Sequence, residues 1–151
     1  MFKFILISAF FGVIAAESAK FIPCDESPPC SISEVRIDPC THPDQCKLKK
    51  GNTYSLSYDF KPDFSADKAK TGLFWAKTNT EDVPFPEMYN ADACQYTACP
   101  IVANKLQTFD YSLRLSKKLP SGQYVFKLKL WDENDESKNC CFKTNIELRR
   151  K

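Results

Sequence analysis

Beyond its N-terminal segment, the chain alternates apolar and polar residues instead of spacing them as in a helix. In Phe109–Leu115 every odd residue is apolar and every even residue is polar, which is typical of a half-buried strand. The same parity recurs in Tyr54–Phe60, Tyr124–Leu130 and Phe142–Leu148. The weaker candidate strands are Ile32–Ile37 and Leu73–Ala76, the second being apolar on both faces as in a central strand.

Prolines separate these runs and indicate turns between them, for example Pro43 before the second run and Pro120 before the one that begins at Tyr124. Six or seven short strands, each with one apolar face, favour two antiparallel sheets packed face to face. The acidic stretch Asp132–Glu136 lacks the central glycine of a calcium loop, so we interpret it as a solvated hairpin loop. We therefore predict an all-β fold.

The first residues have the composition of a secretory signal peptide. Residues 1–16 carry a single Lys3, followed by an apolar run that ends in small residues. Cleavage after Ala15, Ala16 or Ser18 fits equally well, which leaves residues 17–151 as one domain. The run is shorter than the roughly 20 apolar residues of a membrane-spanning helix. We expect a secreted, extracellular and soluble protein.

Composition excludes several functional classes. In 151 residues the formal net charge is +2, too balanced for the electrostatic attraction that nucleic-acid binding requires. Four glycines leave no phosphate-binding loop, and no cofactor or metal is expected from a chain with one histidine. Catalysis would require that residue, His42, to pair with a Ser or Cys nucleophile, but it lies between Thr41 and Pro43 inside the short loop from Cys40 to Cys46, so we do not predict an enzyme.

Eight cysteines indicate disulfides in an oxidising compartment. Cys40 with Cys46 and Cys94 with Cys99 are close enough in sequence to form local bridges. The adjacent residues Cys140 and Cys141 would point to opposite faces of a strand, which favours two long-range bridges back to Cys24 and Cys30. Which of these four residues pairs with which stays open at this point.

The order of cysteines and short motifs resembles that of the ML lipid-recognition domain, including the Niemann-Pick type C cholesterol carriers and the group-two mite allergens. The resemblance covers essentially all of residues 17–151. It rests on the following features, in chain order: Cys24, Glu34-Val35-x-Ile37-x-Pro39-Cys40, Cys46-x-Leu48-x-Lys50-Gly51-x-x-Tyr54-Ser55, Val83-Pro84-Phe85-Pro86, Cys94-x4-Cys99-Pro100-Ile101 and Cys141.

This resemblance implies an immunoglobulin-like β-sandwich with an apolar cavity between its two antiparallel sheets. It also implies the disulfides Cys24–Cys141, Cys40–Cys46 and Cys94–Cys99. Cys30 and Cys140 are additional to the family pattern, and we predict that they bond to each other. In the family the Val83–Pro86 segment lies at the cavity mouth, so Phe85 is expected to act there as a gate or as a hydrophobic plug.

The candidate lipid-binding residues are those that face inward by strand parity, together with two from the mouth segment. Parity alone does not distinguish a cavity lining from ordinary core packing. The inward set is Ile37, Tyr54, Leu56, Tyr58, Leu73, Trp75, Leu113, Leu115, Tyr124, Phe126, Leu128, Phe142 and Ile146, and the mouth adds Val83 and Phe85. We hypothesise that an acidic headgroup would meet Lys117 or Lys118.

The leading functional hypothesis is a secreted, monomeric lipid carrier that binds one fatty acid, sterol or related lipid or semiochemical between the sheets and transfers it. Its partners would be the lipid and, transiently, a membrane or receptor. The segment Leu113–Tyr124 departs from the sterol-carrying members, so the resemblance does not select the ligand. The alternative is a secreted immunoglobulin-like interaction module, for instance in innate-immune recognition.

Overall fold

The computed structural model describes residues 18–25 and 28–150, which form ten strands and two three-residue 3-10 helices. The predicted signal peptide, residues 1–16, lies outside the described residues. None of the helices in the described ranges could cross a membrane. The strands are β1 (Ile22–Pro23), β2 (Cys30–Asp38), β3 (Cys46–Lys49), β4 (Thr53–Pro62), β5 (Ala69–Ala76), β6 (Asp82–Pro84), β7 (Ala91–Asp92), β8 (Gln107–Arg114), β9 (Gly122–Asp132) and β10 (Asp135–Arg149).

The strands form the two-layer sandwich that the alternation predicted. One sheet has the order β2-β4-β8, and the other follows the path β1-β10-β9-β5-β6, with β3 also on β10 and β7 also on β5. All pairs are antiparallel except β3, which runs parallel to β10. Period-two alternation did not reveal β3 or the short strands β1, β6 and β7, because each has at most four residues.

Strand parity places the apolar residues of both sheets in one shared core. On β4, Tyr54, Leu56, Tyr58 and Phe60 are all buried, whereas Asp59 between them faces outward. The β9-β10 ladder pairs Leu128 with Phe142 and Tyr124 with Ile146, so their side chains project into the same layer. The acidic stretch forms the turn between β9 and β10, as expected.

The N-terminal segment connects the edges of both sheets. Ser18 bridges to Arg36 on β2, and the Ala19 amide donates a hydrogen bond to the Val35 carbonyl at 2.8 Å. A few residues later, β1 pairs with β10 at Ile22 and Pro23. One side of the sandwich is therefore closed by the chain itself.

Two long-range disulfides strengthen the same side. Cys24–Cys141 holds β1 against β10, and Cys30–Cys140 joins β10 to β2 across the sandwich. Cys40–Cys46 and Cys94–Cys99 are local, so no cysteine is free. These are the four pairs expected from the sequence, and the additional pair, Cys30–Cys140, is the one that crosses between the sheets.

The outer face of the three-stranded sheet carries a network of hydrogen-bonded ion pairs. The Arg36 guanidinium donates to both Asp59 carboxylate oxygens at 2.8 Å and to Glu34 at 2.8 Å. Thr108 donates to the same Asp59 carboxylate at 2.7 Å. These donors lower the pKa of Asp59 to about 2.

We predict that the two long-range disulfides contribute non-additively to stability. With one intact, the other closes a loop of only about seven residues, because Cys24 and Cys30 are six positions apart and Cys140 and Cys141 are adjacent. Loop-entropy estimates give about 2 kcal/mol for such a loop and about 5 kcal/mol for the loop of about 110 residues that the last bridge closes. Removing either bridge with paired alanines should cost about 2 kcal/mol, and removing both about 7 kcal/mol. Urea unfolding of the three variants tests this, and a loss in the double variant equal to the sum of the two single losses would contradict it.

The Asp59–Arg36 pair predicts an acid-dependent loss of stability. Because the folded-state pKa of Asp59 is depressed, its contribution is present above about pH 4 and is lost as the pH falls towards 2. The shift corresponds to about 2 kcal/mol at neutral pH. Asp59→Asn should lower the free energy of unfolding by about that amount at pH 7, with the difference from wild type shrinking between pH 4 and pH 2. Asp110→Asn, which removes an exposed carboxylate from β8, is the control; a difference independent of pH would refute this account.

Candidate ligand-binding site

The two sheets are joined at one end of the sandwich by aromatic packing. Tyr58 on β4 stacks on Phe109 with ring centroids 4.9 Å apart, and its edge contact with Phe142 on β10 spans 5.0 Å. Phe21 in turn packs against Phe142. Among strands of opposite sheets, β10 approaches β2 and β4 most extensively. The sandwich is thus tightest along β10, next to the disulfide Cys30–Cys140.

The opposite end carries an apolar pocket of about 470 Å³, here called the rim pocket. Its walls are the end of β5, strand β6 with the following 3-10 helix, and the loop that leads into β9. The lining residues are Trp75, Val83, Pro84, Phe85, Pro86, Leu119, Pro120, Ser121, Gly122, Gln123 and Tyr124. No charged side chain is among them. The volume lies within the range of about 300–1,000 Å³ that is usual for small-molecule sites.

Strand register explains why three of these elements share one face. Trp75 pairs with Val83 on one side and with Phe126 on the other, so the three side chains form a row across the sheet. The Phe85 amide donates to the Leu73 carbonyl at 2.9 Å, which returns the chain to the sheet directly after β6. The apolar residues of β5, β6 and β9 therefore meet at the rim.

The loop before β9 is attached to the rim by two hydrogen bonds. The Tyr124 hydroxyl donates to the Pro120 carbonyl at 2.8 Å, and the Lys50 ammonium donates to the Leu119 carbonyl at 2.8 Å. The Trp75 and Tyr124 rings contact each other edge to face at 5.1 Å, and burial raises the pKa of the Tyr124 phenol. The loop thus forms a defined wall of the pocket.

Phe85 separates the rim pocket from the core. Its ring packs edge to face on Phe126 at 5.0 Å, and only 7% of the residue is exposed. Phe126 itself is buried between the sheets. A molecule that passed from the rim pocket into the sandwich would therefore have to displace the Phe85 ring.

Comparison with known proteins identifies the family of this fold. The model of the ML domain matches residues 18–148. The chain belongs to the ML domain family. It is 46% identical over 149 residues to the MD-2-related lipid-recognition protein of Manduca sexta, covering 97% of this chain and 96% of that protein. It is also 30% identical over 111 residues to the NPC intracellular cholesterol transporter 2 of Canis lupus familiaris, with 72% of each chain covered.

A solved structure shares the architecture of this ML domain. The Niemann-Pick type C2 protein from the Japanese carpenter ant matches it with a TM-score of 0.75 at 20% identity, over 86% of this chain and 99% of that chain. The predicted immunoglobulin-like β-sandwich is therefore confirmed. Together with the family match, this places the chain among lipid-recognition domains.

The ML domain brings most of the sequence-predicted ligand residues into one buried cluster. Thirteen of them are buried: Ile37, Tyr54, Leu56, Tyr58, Leu73, Phe85, Leu113, Leu115, Tyr124, Phe126, Leu128, Phe142 and Ile146. Trp75 is half-buried at the edge of this cluster, and Val83 is 37% exposed. Four of the fifteen, Trp75, Val83, Phe85 and Tyr124, line the rim pocket.

Sequence reasoning placed the Val83–Pro86 segment at the mouth but did not foresee that Leu119–Gln123 would join it. Leu119–Gln123 lies outside any alternating pattern, so no periodic signal marks it. Lys117, proposed as a headgroup contact, instead lines a neighbouring cleft with Glu87 and Arg114. That cleft is polar, unlike the rim pocket.

A larger cleft of about 590 Å³ lies at the edge of β10, between β1 and β3. It is bordered by the segment Ala19–Ile22 and contains the ion pair of Lys20 with Asp44. Lys143 and Asn145 add further polar groups. Because of these charges, we consider the smaller rim pocket the better site for an apolar ligand.

We predict that Phe85 and Val83 differ strongly in their effects on stability. Phe85→Ala removes a buried ring from contact with Phe126 and should lower the free energy of unfolding by about 3 kcal/mol. Val83→Ala on the exposed edge strand should cost less than about 1 kcal/mol. Thermal and urea unfolding of both variants measure this. A Phe85→Ala variant as stable as wild type would show that the ring is not part of the core.

Proposed function

We propose that this ML domain is a secreted, monomeric carrier that takes one hydrophobic molecule through the rim pocket into the space between its sheets. The observation that supports this best is the uncharged apolar rim pocket, whose floor is the Phe85 ring over the core residue Phe126. Phe85 then acts as the gate. The buried candidate residues named above form the packed core behind it and would line the ligand's compartment once the sheets separate.

The arrangement of the sheets favours opening at the rim. The long-range disulfides, β1 and the Tyr58–Phe142 contact all hold the β10 side together. At the rim, the walls are an exposed edge strand and a loop held by two hydrogen bonds. Separation of the sheets therefore costs least at the rim, where Phe85 is located.

Apolar burial supplies enough free energy for such binding. A 16-carbon chain gains roughly 12 kcal/mol at about 0.8 kcal/mol per methylene. Association and ordering cost an estimated 4–15 kcal/mol, which leaves affinities around micromolar without a charged anchor. The ligand class that fits is a fatty acid, sterol or related lipid or semiochemical. Release would take place at a membrane or receptor.

The proposed function involves no covalent chemistry. His42 is exposed, its ring nitrogen lies 2.9 Å from the Thr41 hydroxyl, and it is not part of the rim pocket. The described residues contain no cluster of three metal-ligating side chains. Binding and release alone account for the geometry.

The decisive experiment compares two valines of equal exposure at opposite ends of the sandwich. Val83 is 37% exposed in the rim pocket, and Val102 is 39% exposed on the loop after Ile101. Val83→Asp places a charge in the apolar mouth and should weaken oleic-acid binding at least about tenfold, since an unpaired carboxylate there costs more than 1.4 kcal/mol. Val102→Asp should leave binding unchanged, and neither variant should alter the melting temperature greatly. Equal affinities of the two variants would refute entry through the rim.

Native mass spectrometry of the secreted protein tests the carrier function itself. A carrier should release about one lipid per chain on organic extraction and should rebind it afterwards. The alternative function, a secreted immunoglobulin-like interaction or innate-immune recognition module, predicts no stoichiometric lipid and no fatty-acid binding.

A further inference from the structure

The outer face of the seven-stranded sheet carries another concave site, which contains charged side chains and is lined in part by aromatic rings. A groove of about 320 Å³ lies between Phe74 and Tyr89 on one side and Trp131 on the other. The Phe74 and Tyr89 rings meet edge to face at 6.0 Å, and Tyr89 is 58% exposed. We call this site the outer groove.

Gly72 is required for the shape of the outer groove. A Cβ atom at this position would lie 2.9 Å from the Phe74 ring and 3.6 Å from the Trp131 ring. Because glycine leaves this space empty, the Phe74 ring lies across the strand and approaches the indole. The Phe74 and Trp131 rings thus pack over Gly72, and because Trp131 is only 6% exposed, the ring most open to a ligand on this outward face is Tyr89.

The walls of the outer groove are paired ions rather than free charges. Lys127 contacts Asp82 at 2.6 Å, and Lys129 contacts Glu136 at 3.4 Å. The Lys129 ammonium also lies 5.4 Å from the centre of the Trp131 ring. The groove therefore offers both hydrogen-bond donors and acceptors and has no net charge.

A polar hollow of about 230 Å³ adjoins the outer groove along Lys127 and Lys129. It adds Asn79, Lys143 and Asp25. The outer groove and the hollow together contain three lysines and three carboxylates, so the combined surface has no net charge. The lysines are Lys127, Lys129 and Lys143, and the carboxylates are Asp25, Asp82 and Glu136. The combined surface suits an elongated ligand that is rich in hydroxyl groups.

We propose that the outer groove binds a neutral oligosaccharide. A sugar ring has an apolar face that packs on aromatic rings, and its hydroxyls both donate and accept hydrogen bonds, as the paired ions require. An anionic ligand would have to compete with Asp82 and Glu136 for the lysines. A lipid tail would leave the ionic walls without partners. This site is separate from the rim pocket and does not depend on the proposed carrier function.

The two tryptophans of the chain allow each site to be observed by itself. Trp75 lines the rim pocket and Trp131 lines the outer groove. In a Trp75→Phe variant, all tryptophan fluorescence reports on the outer groove. Titration with uncharged hexasaccharides (maltohexaose, cellohexaose, laminarihexaose and hexa-N-acetylchitohexaose) should produce a saturable change with at least one of them, checked by calorimetry on the wild-type chain.

A matched pair of exposed residues tests the site without disturbing the fold. Tyr89→Ala should weaken hexasaccharide binding about three- to tenfold, the range of one aromatic contact. Leu106→Ala, at a residue 60% exposed and outside the groove, should leave it unchanged. The proposal is overturned if none of the four sugars binds at about 10 mM, corresponding to less than about 3 kcal/mol. It is equally overturned if only sulfated oligosaccharides, anionic vesicles or a protein bind there, or if Tyr89→Ala has no effect.

Discussion

Strand β10 is fifteen residues long, and its two edges need hydrogen-bonding partners while its inward face needs apolar packing. The architecture follows from how these needs are met. One edge is taken by β9 over nearly its whole length, and the other is divided between β1 and β3. Its inward face supplies Phe142 and Ile146 to the core. The adjacent cysteines at 140 and 141 use the two opposite faces for two different disulfides. The strand is thus fixed to both sheets and to the N-terminal segment.

Because the disulfides and the N-terminal strand all hold β10, the opposite side of the sandwich, at the rim pocket, is less restrained. A sandwich normally fills its interior with its own side chains, and close packing resists any separation of the layers. Here the covalent links lie next to the aromatic contact of Tyr58 with Phe142, whereas the rim has a three-residue edge strand and a loop with two hydrogen bonds. The same asymmetry stabilises the fold and is the reason why the proposed function places ligand entry at the rim.

The two aromatic sites use the alternation of strands in different ways. On β5, Trp75 faces inward and contributes to the rim pocket, while its neighbour Phe74 faces outward into the outer groove. Strand β5 therefore contributes to two surfaces of different chemistry, the uncharged rim pocket and the outer groove with its paired ions. Because the surfaces lie on opposite faces of one sheet, a ligand at one does not obstruct the other.

Local pattern alone determined the long strands, their inward residues and the opposite directions of Cys140 and Cys141, because these depend only on the twofold period of extended chain. Even the two local disulfides follow from short sequence separation. Tertiary structure decided which strands pair, why β3 runs parallel to β10, and how loop residues such as Leu119 and Pro120 meet Trp75 at the rim. It also decided that Phe85 is buried on Phe126, since contacts between residues far apart in sequence leave no periodic trace in the chain.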